Sequence, residues 1–548
     1  MVKKTKSVRT KMPKVTKLSQ KQMDDFLSEI MASTISEKSA EFAKMLIQGN
    51  AWLVRQLELG QLSIAKLRKL FQIQGSERAP NRKPKKDPAS FNHKGSTETK
   101  GHGRNGADAY QGATVVEVVH PDLNPGDSCL AEACDGRLYE MSEPGVFVQV
   151  TGAPLANATR YNRQKLRCAI CEIIYTAPLP TGVSDKKYDA AFIAMLMINK
   201  YFMSIPLYRQ DKLQNYLGIP LPASTQWDIM VAYEPMLKAL YGAIAQDAAN
   251  GKALCYDDTS VKIMSEIKAA KLADKGKKSQ HTCFTTGVVS LHEDHRSYLY
   301  ITDNRTAGKS IATIMALRDS DLDPPIMMCD ALAANIPQGI ADDLYILCFC
   351  LVHARRQFYE LPDGYDDLAD KVIGLIGTIY DHEAHTKGME GEKRLAYHQQ
   401  KSTPVMAELK AYLTKQQSEF EPNSAAGKAI DYLLTRWTQL SQFLGQAHAP
   451  LDTNIVERAL KLVIQTRKSS MFYQTLSSAA FASYVQSALY SAAQNDINPC
   501  HYMQALIDND QKVMQNPSAW LPWQYQQTLK QSLEDDARHN PSQPVFPD

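Results

Sequence analysis

ALCYDDTSVKIM, residues 253–264, alternates its side chains with the period of a β-strand and sets two aspartates in the middle of the run. Ala253, Cys255, Asp257, Thr259, Val261 and Ile263 share one face, and Asp258 shares the other with Ser260 and Lys262. A carboxylate on the more apolar face needs a compensating ligand, which singles out Asp257. Working outward, HTCFTTGVVSL (281–291) and RSYLYIT (296–302) read as a hairpin, IATIMAL (311–317) as a helix, PPIMMCD (324–330) as a fourth strand and LYILCFCLVHA (344–354) as a fifth. Antiparallel strands followed by helix-separated, continuously apolar ones predict an α/β domain with a mixed sheet covered by helices.

Two further acids complete a set. Asp330 ends the fourth strand in PPIMMCDALAAN (324–335), where it also reads as a turn or N-cap residue for ALAAN. Glu457 lies in LDTNIVERALKLVIQTRK (451–468), a helix with the apolar stripe Val456, Ala459, Leu460 and Val463. It sits at the flank of that stripe, a position that serves a solvated surface or a lean over the sheet edge. Strand, strand end and helix is the order in which an RNase H-like nucleic-acid enzyme collects its metal-binding carboxylates. Displacement at a phosphodiester builds charge on the attacking and the leaving oxygen, and two Mg²⁺ or Mn²⁺ ions about 4 Å apart stabilise both when carboxylates fix them. The long interval between Asp330 and Glu457 requires an inserted domain, and residues 363–447 read as the helices that supply it.

Charge is unevenly distributed. Residues 1–110 hold 22 Lys and Arg against 10 Asp and Glu in a chain whose net charge is only +3, so the remainder is acidic. The excess falls mainly in a basic arm, 1–17, and a Pro/Lys-rich linker, 76–111, both too poor in apolar residues to fold alone. They predict phosphate contacts that weaken with salt, or solvated linkers with incidental charge. Between them, 18–75 shows helical spacing of apolar residues with Gly49 and Gly60 as breakers. No apolar run is long enough to span a bilayer, which argues against a membrane role, and ten cysteines without a secretory leader read as thiols or metal ligands. A cytoplasmic, nucleoid-associated bacterial enzyme is expected.

Residues 112–182 read as a zinc-ribbon-like β domain: Cys129 and Cys134 form one knuckle, Cys168 and Cys171 a second, and four thiolates suit tetrahedral Zn²⁺. Free thiols are the alternative, and His120 is a substitute ligand for Cys134. Residues 185–250 read as helical, with Gly218 and Pro220 at a turn and Ser224 as N-cap of a helix-turn-helix-like pair. The core is expected at 251–362 and 448–495, with a C-terminal tail at 496–548. AGKS (307–310) is not a phosphate-binding loop, because Asp303 stands where its first glycine belongs. HEDH (292–295) has its histidines three apart, unlike a zinc protease, and reads as a hairpin turn.

GHGRNGADAY (101–110), PLYRQDKL (206–213) with Trp227, DDTSVKI (257–263), VHARRQFYEL (352–361), LDTNIVERALKLVIQTRKSSMF (451–472) and LPW (521–523) together resemble the transposases of insertion sequence family 66, TnpC type. The resemblance covers nearly the whole chain. It implies a DDE recombinase with an RNase H-like core, a helical insertion, a zinc-binding domain and a helical N-terminal segment. Position by position it implies Asp257, Asp330 and Glu457 as catalytic, Mg²⁺-binding acids, although Asp257-Asp258-Thr259 stands where many relatives have Asp-Glu-Thr, and CDALAAN where Asp-Gly-Tyr is common. His353, Arg355, Arg356, Arg458, Arg467 and Lys468 are candidates for DNA contact or for holding neighbouring helix carboxylates. The implied partners are terminal inverted repeats and target DNA, a homo-oligomer on DNA, and accessory proteins of the same element. The rival expectation is a non-catalytic DNA-binding regulator or inactivated transposase.

Overall fold

The computed structural model describes residues 116–118, 121–128, 137–138, 155–167, 174–273 and 283–539. The basic arm, the helical segment 18–75, the basic linker, His120 and the four cysteines Cys129, Cys134, Cys168 and Cys171 lie outside the described residues. From the 112–182 region, β1 (Lys165–Arg167) and β2 (Ile174–Thr176) pair antiparallel.

Four helices precede the main sheet: α1 (Ala190–Met197), running into a π-helical turn at Ile198–Phe202, then α2 (Leu207–Tyr216), α3 (Ala223–Val231) and α4 (Glu234–Ala249). Asp189 caps α1 by accepting the Phe192 N–H at 2.8 Å. Between α2 and α3 the chain turns at Gly218, whose φ of +72° favours glycine. Ser224 is not the N-cap: α3 starts after Pro222, whose fixed φ is already suited to a helix start, and Ser224 falls inside the first turn.

The sheet comprises β3 (Ala253–Val261), β4 (Cys283–Leu291), β5 (Arg296–Asp303), β6 (Ile326–Cys329) and β7 (Ile346–Phe349) in the order β5-β4-β3-β6-β7. The β3–β4 and β4–β5 pairs are antiparallel, whereas β3–β6 and β6–β7 are parallel. Short β6 and β7 are apolar because both faces are covered. Helix α5 (Met264–Ala273) follows β3, and α6 (Ala307–Met315) crosses from β5 to β6. The latter starts four residues before the helix read from IATIMAL, because the Asp258 carboxylate accepts the Ala307 N–H at 3.1 Å and anchors the first turn.

After β7 come α7 (Leu351–Tyr359) and an all-helical excursion of α8 (Asp366–His385), α9 (Gly391–Gln417), α10 (Ala425–Thr435) and a single turn at Trp437–Leu440. The chain returns to the sheet as α11 (Asn454–Ser470) and α12 (Leu476–Gln494). Departure and return are joined: the Leu351 N–H donates to the Leu451 carbonyl at 3.0 Å, and the Thr453 N–H to Cys350 Sγ at 3.4 Å.

The outer edge of β5 is covered by serines spaced one helical turn apart on α12. Ser487 Oγ accepts from Tyr300 N and Ser491 Oγ from Tyr298 N, each at 3.0 Å, satisfying donors that an open sheet edge leaves bare. Residues 496–539, read from the sequence only as a tail, include α13 (Pro499–Asp508), α14 (Asp510–Gln515) and α15 (Tyr525–His539). They bury Trp520, whose carbonyl accepts the Tyr502 hydroxyl at 2.8 Å. Among the described residues no helix is long and apolar enough to cross a membrane.

Candidate active site

Register sets the site. In the parallel ladder Cys255 pairs with Met328, so two residues on, Asp257 comes level with Asp330, the first residue beyond β6. Asp330 follows the carboxyl end of β6 and Asp257 lies just past the β3 residues paired with it, on the side of the parallel ladder where open α/β sheets place their chemistry. Asn335 joins them: its Nδ2 donates to Asp330 Oδ1 at 2.7 Å and to Asp257 Oδ1 at 3.2 Å, and the residue is only 1 % exposed. Asp330 Oδ1 also accepts the Leu332 N–H at 3.1 Å, so the turn role and the role beside Asp257 coexist in one carboxylate.

Asp257 and Asp258 diverge as strand alternation requires. Asp257 Oδ1 accepts the Asp258 N–H at 2.8 Å. Burial pushes the Asp257 carboxyl up to about 7; that backbone hydrogen bond opposes the rise, and the charges of Asp330, Asp258 and Glu457 add to it. Asp258, committed to the α6 N-terminus, is also raised by burial, against the pull of the Ala307 N–H.

Helix α11 brings Glu457 to this edge through a glycine. Gly287 on β4 is paired with Asp257 and so lies on the same face. A Cβ there would stand 3.0 Å from Leu460 Cδ2 and 3.2 Å from Val456 Cγ2, so the missing side chain lets α11 press onto the β3–β4 pair. Val456, Ala459, Leu460 and Val463, the stripe read from the sequence, are buried there. On the flank, Glu457 Oε1 accepts from Thr453 Oγ1 at 3.3 Å and lies 4.0 Å from His353 Nε2 in the first turn of α7. A second close approach holds the Asn335 loop. Gly308 N donates to the Ala334 carbonyl at 3.0 Å and the Gly308 carbonyl accepts from Gln338 N at 2.9 Å; any Cβ at Gly308 would collide with the Ile336 carbonyl. The glycine of AGKS therefore packs a loop.

The six candidate DNA-contact residues are placed differently from one another. His353 joins the acids. Arg467 is tied to β3, reaching Thr259 Oγ1 at 3.2 Å and the Ser260 carbonyl. Arg355 and Lys468 are exposed, Arg356 is half-buried, and Arg458 is exposed within electrostatic reach of Tyr298 and Tyr490, toward the β5 edge. Sequence reasoning missed Asn335, Thr453 and the two close-approach glycines. ALAAN reads as an ordinary turn, and a glycine's neighbours across the fold leave no local signature.

The Transposase IS66 family profile matches residues 186–480. An uncharacterized protein, y4jD of Sinorhizobium fredii (strain NBRC 101917 / NGR234), is 25% identical over 423 residues, covering 73% of this chain and 78% of its own. A second uncharacterized protein of that strain, y4hP, is 25% identical over 396 residues, covering 66% and 67%. No solved structure matches the chain significantly. The matched span holds the whole five-stranded sheet, all three acids and Asn335, and takes in more than half of the 548 residues; the chain belongs to the Transposase IS66 family.

Proposed function

We propose that this protein is a DDE transposase in which Asp257, Asp330 and Glu457 hold divalent magnesium, or manganese, for two phosphoryl transfers at the ends of an insertion sequence. In the first, a water oxygen attacks the phosphorus at the element's end and the P–O3′ bond breaks, leaving a free 3′ hydroxyl. In the second, that hydroxyl attacks a target phosphodiester and displaces its 3′ oxygen. The observation that carries the reading is the Asn335 amide spanning Asp257 and Asp330, which fixes two carboxylates from distant parts of the chain side by side. The sheet order, with two antiparallel and two parallel pairings, supports an RNase H-like core.

The donor set suits the ion. Three carboxylates are the hard oxygen ligands that magnesium selects. The hydrogen-bond partners of the two aspartates are an amide and backbone N–H groups, none of them a fixed positive charge, so a cation would offset the burial and like charge that raise the Asp257 carboxyl. Bound there, it supplies charge stabilisation to the attacking and leaving oxygens. The protein's own part is positioning. Asn335 and the Asp258 N–H orient Asp257, Thr453 and His353 orient Glu457, and Arg355, Arg458 and Lys468 offer exposed positive charge to DNA phosphates.

The test is 3′-end nicking and strand transfer on labelled terminal-repeat DNA with Mg²⁺, comparing the parent with Asp257→Ala and Glu457→Ala. Loss of both steps in each variant, with DNA binding retained, is expected. Undiminished activity in the two variants overturns the assignment, and tight binding without cleavage by the parent points to a DNA-binding regulator.

A further inference from the structure

At the end of the sheet far from the acids, the β4–β5 hairpin turn brings two imidazoles onto one carboxylate. His292 Nε2 lies 3.1 Å from Asp247 Oδ2, and His295 Nε2 lies 3.2 Å from the same oxygen. Asp247 comes from the last turns of α4, so three ligand atoms from two separate segments converge within 4.8 Å of one another. We propose that Asp247, His292 and His295 form a binding site for a borderline divalent transition metal of the Zn²⁺ class, separate from the magnesium-binding acids.

Four observations support it. First, the spacing fits. With metal–ligand bonds of about 2.0–2.1 Å, neighbouring ligand atoms of a tetrahedral site stand about 3.3 Å apart. The two imidazole–carboxylate separations are already close to that, so little movement is needed. Second, an outer shell is present. His295 Nδ1 is 2.7 Å from Asp294 Oδ1, the carboxylate–imidazole pairing that fixes the ring of a metal-ligating histidine and leaves Nε2 on the Asp247 side, and Ser297 donates its hydroxyl to Asp247. Third, the rings are held in place. His292 and His295 stack at 4.1 Å, and Trp523 stacks on the outer face of His295 at 3.9 Å. Fourth, the site is sheltered yet reachable: the three side chains are 12–19% exposed, and the two histidines border a cleft lined also by Gln494, Asn495 and Trp523.

Two imidazoles and one carboxylate select zinc, cobalt or nickel over magnesium. On binding, the protons shared between Asp247 and the imidazole nitrogens leave to solvent and the Nε2 lone pairs turn to the metal. Water would complete a tetrahedral shell. The ion would fasten α4 to the hairpin and, through Trp523, to the C-terminal segment, which makes this a structural clip.

The experiment must separate this ion from any zinc held by Cys129, Cys134, Cys168 and Cys171. The full-length chain carrying Cys168→Ser and Cys171→Ser is stripped with chelator, dialysed against Zn²⁺ and analysed for bound metal. One retained equivalent is expected, with X-ray absorption at the zinc edge showing imidazole scattering and no sulfur. Adding His292→Ala, which leaves the His295–Trp523 stack in place, removes that equivalent and abolishes the zinc-dependent rise in melting temperature. A cysteine variant that binds no zinc overturns the proposal, as does sulfur in the zinc shell or an unchanged equivalent after His292→Ala. Because the first two results are read on the cysteine variant itself, they stand even if a histidine variant fails to fold.

Discussion

Replacing Asp257 by Asn is expected to stabilise the metal-free protein while destroying its activity. Burial and the neighbouring charges of Asp330, Asp258 and Glu457 lift this carboxyl from 3.8 to about 7. An acid whose folded pKa is raised binds more protons in the native than in the unfolded state throughout that interval, so stability falls as pH climbs from about 4 to about 7 and then levels off. At about 1.4 kcal/mol per unit the full penalty at pH 8 is about 4 kcal/mol; partial exposure reduces it to about 2–4 kcal/mol. Asn keeps an Oδ1 acceptor for the Asp258 N–H but carries no charge to bury. In chelator at pH 8, Asp257→Asn should therefore melt several degrees above the parent, on the scale of roughly 2–4 °C per kcal/mol for a domain of this size. The gap should shrink as pH falls from 7 toward 4 and vanish below about 3, where the parent carboxyl is protonated in both states. Millimolar Mg²⁺ should raise the melting temperature of the parent but not of the variant, and so narrow the gap. Calorimetry across pH with and without Mg²⁺ reads all three effects. Equal melting at pH 8 in chelator, or equal stabilisation of both proteins by Mg²⁺, would refute the claim that a cation compensates a buried cluster of acids.

Other outcomes follow from the same geometry. Asn335→Ala should leave the fold intact and raise the Mg²⁺ concentration for half-maximal nicking roughly 10- to 100-fold, the usual penalty for losing an outer-shell ligand holder, measured by metal titration of cleavage. Gly287→Ala should force α11 outward by a few tenths of an ångström and destabilise by about 1–3 kcal/mol, with cleavage lost faster than DNA affinity in paired denaturation and binding assays. In the excursion, Glu383 accepts from the fully buried His398 at 2.7 Å and from Arg394. Burial would raise that carboxyl, but these two partners outweigh it and hold it below 4.5. Glu383→Gln should therefore cost about 2 kcal/mol near pH 7, an effect that fades as pH falls below about 4.5 and the parent loses the same charge, as urea titrations at two pH values can check.

What the sequence made legible was what depends on local pattern. Alternation in 253–264 separated Asp257 from Asp258, the apolar runs before Asp330 and His353 located the parallel strands, and the stripe of Val456, Ala459, Leu460 and Val463 placed Glu457 at a flank. Contacts between distant segments were not legible. Asn335 sits in a run of small residues that reads as a turn, and its function depends on a strand 78 residues earlier. Gly287 and Gly308 matter for what approaches them, which no window around either records. HEDH was read correctly as a turn, yet its histidines gain meaning only from Asp247, on a helix that precedes the sheet. Nothing in the sequence around Ser487 and Ser491 marks them as partners of the β5 edge, which lies nearly two hundred residues earlier.

The bond between Leu351 and Leu451 has a consequence for how this chain can change. A hundred residues leave the sheet and come back beside their point of departure, so lengthening the excursion at its far end carries only a small loop-closure cost while the strand order stays as it is. Nor is the excursion passive. The Tyr380 hydroxyl, on α8, donates at 2.9 Å to Asp452 in the last loop before the helix that carries Glu457, so whatever grips the excursion also pulls on the segment that sets that glutamate.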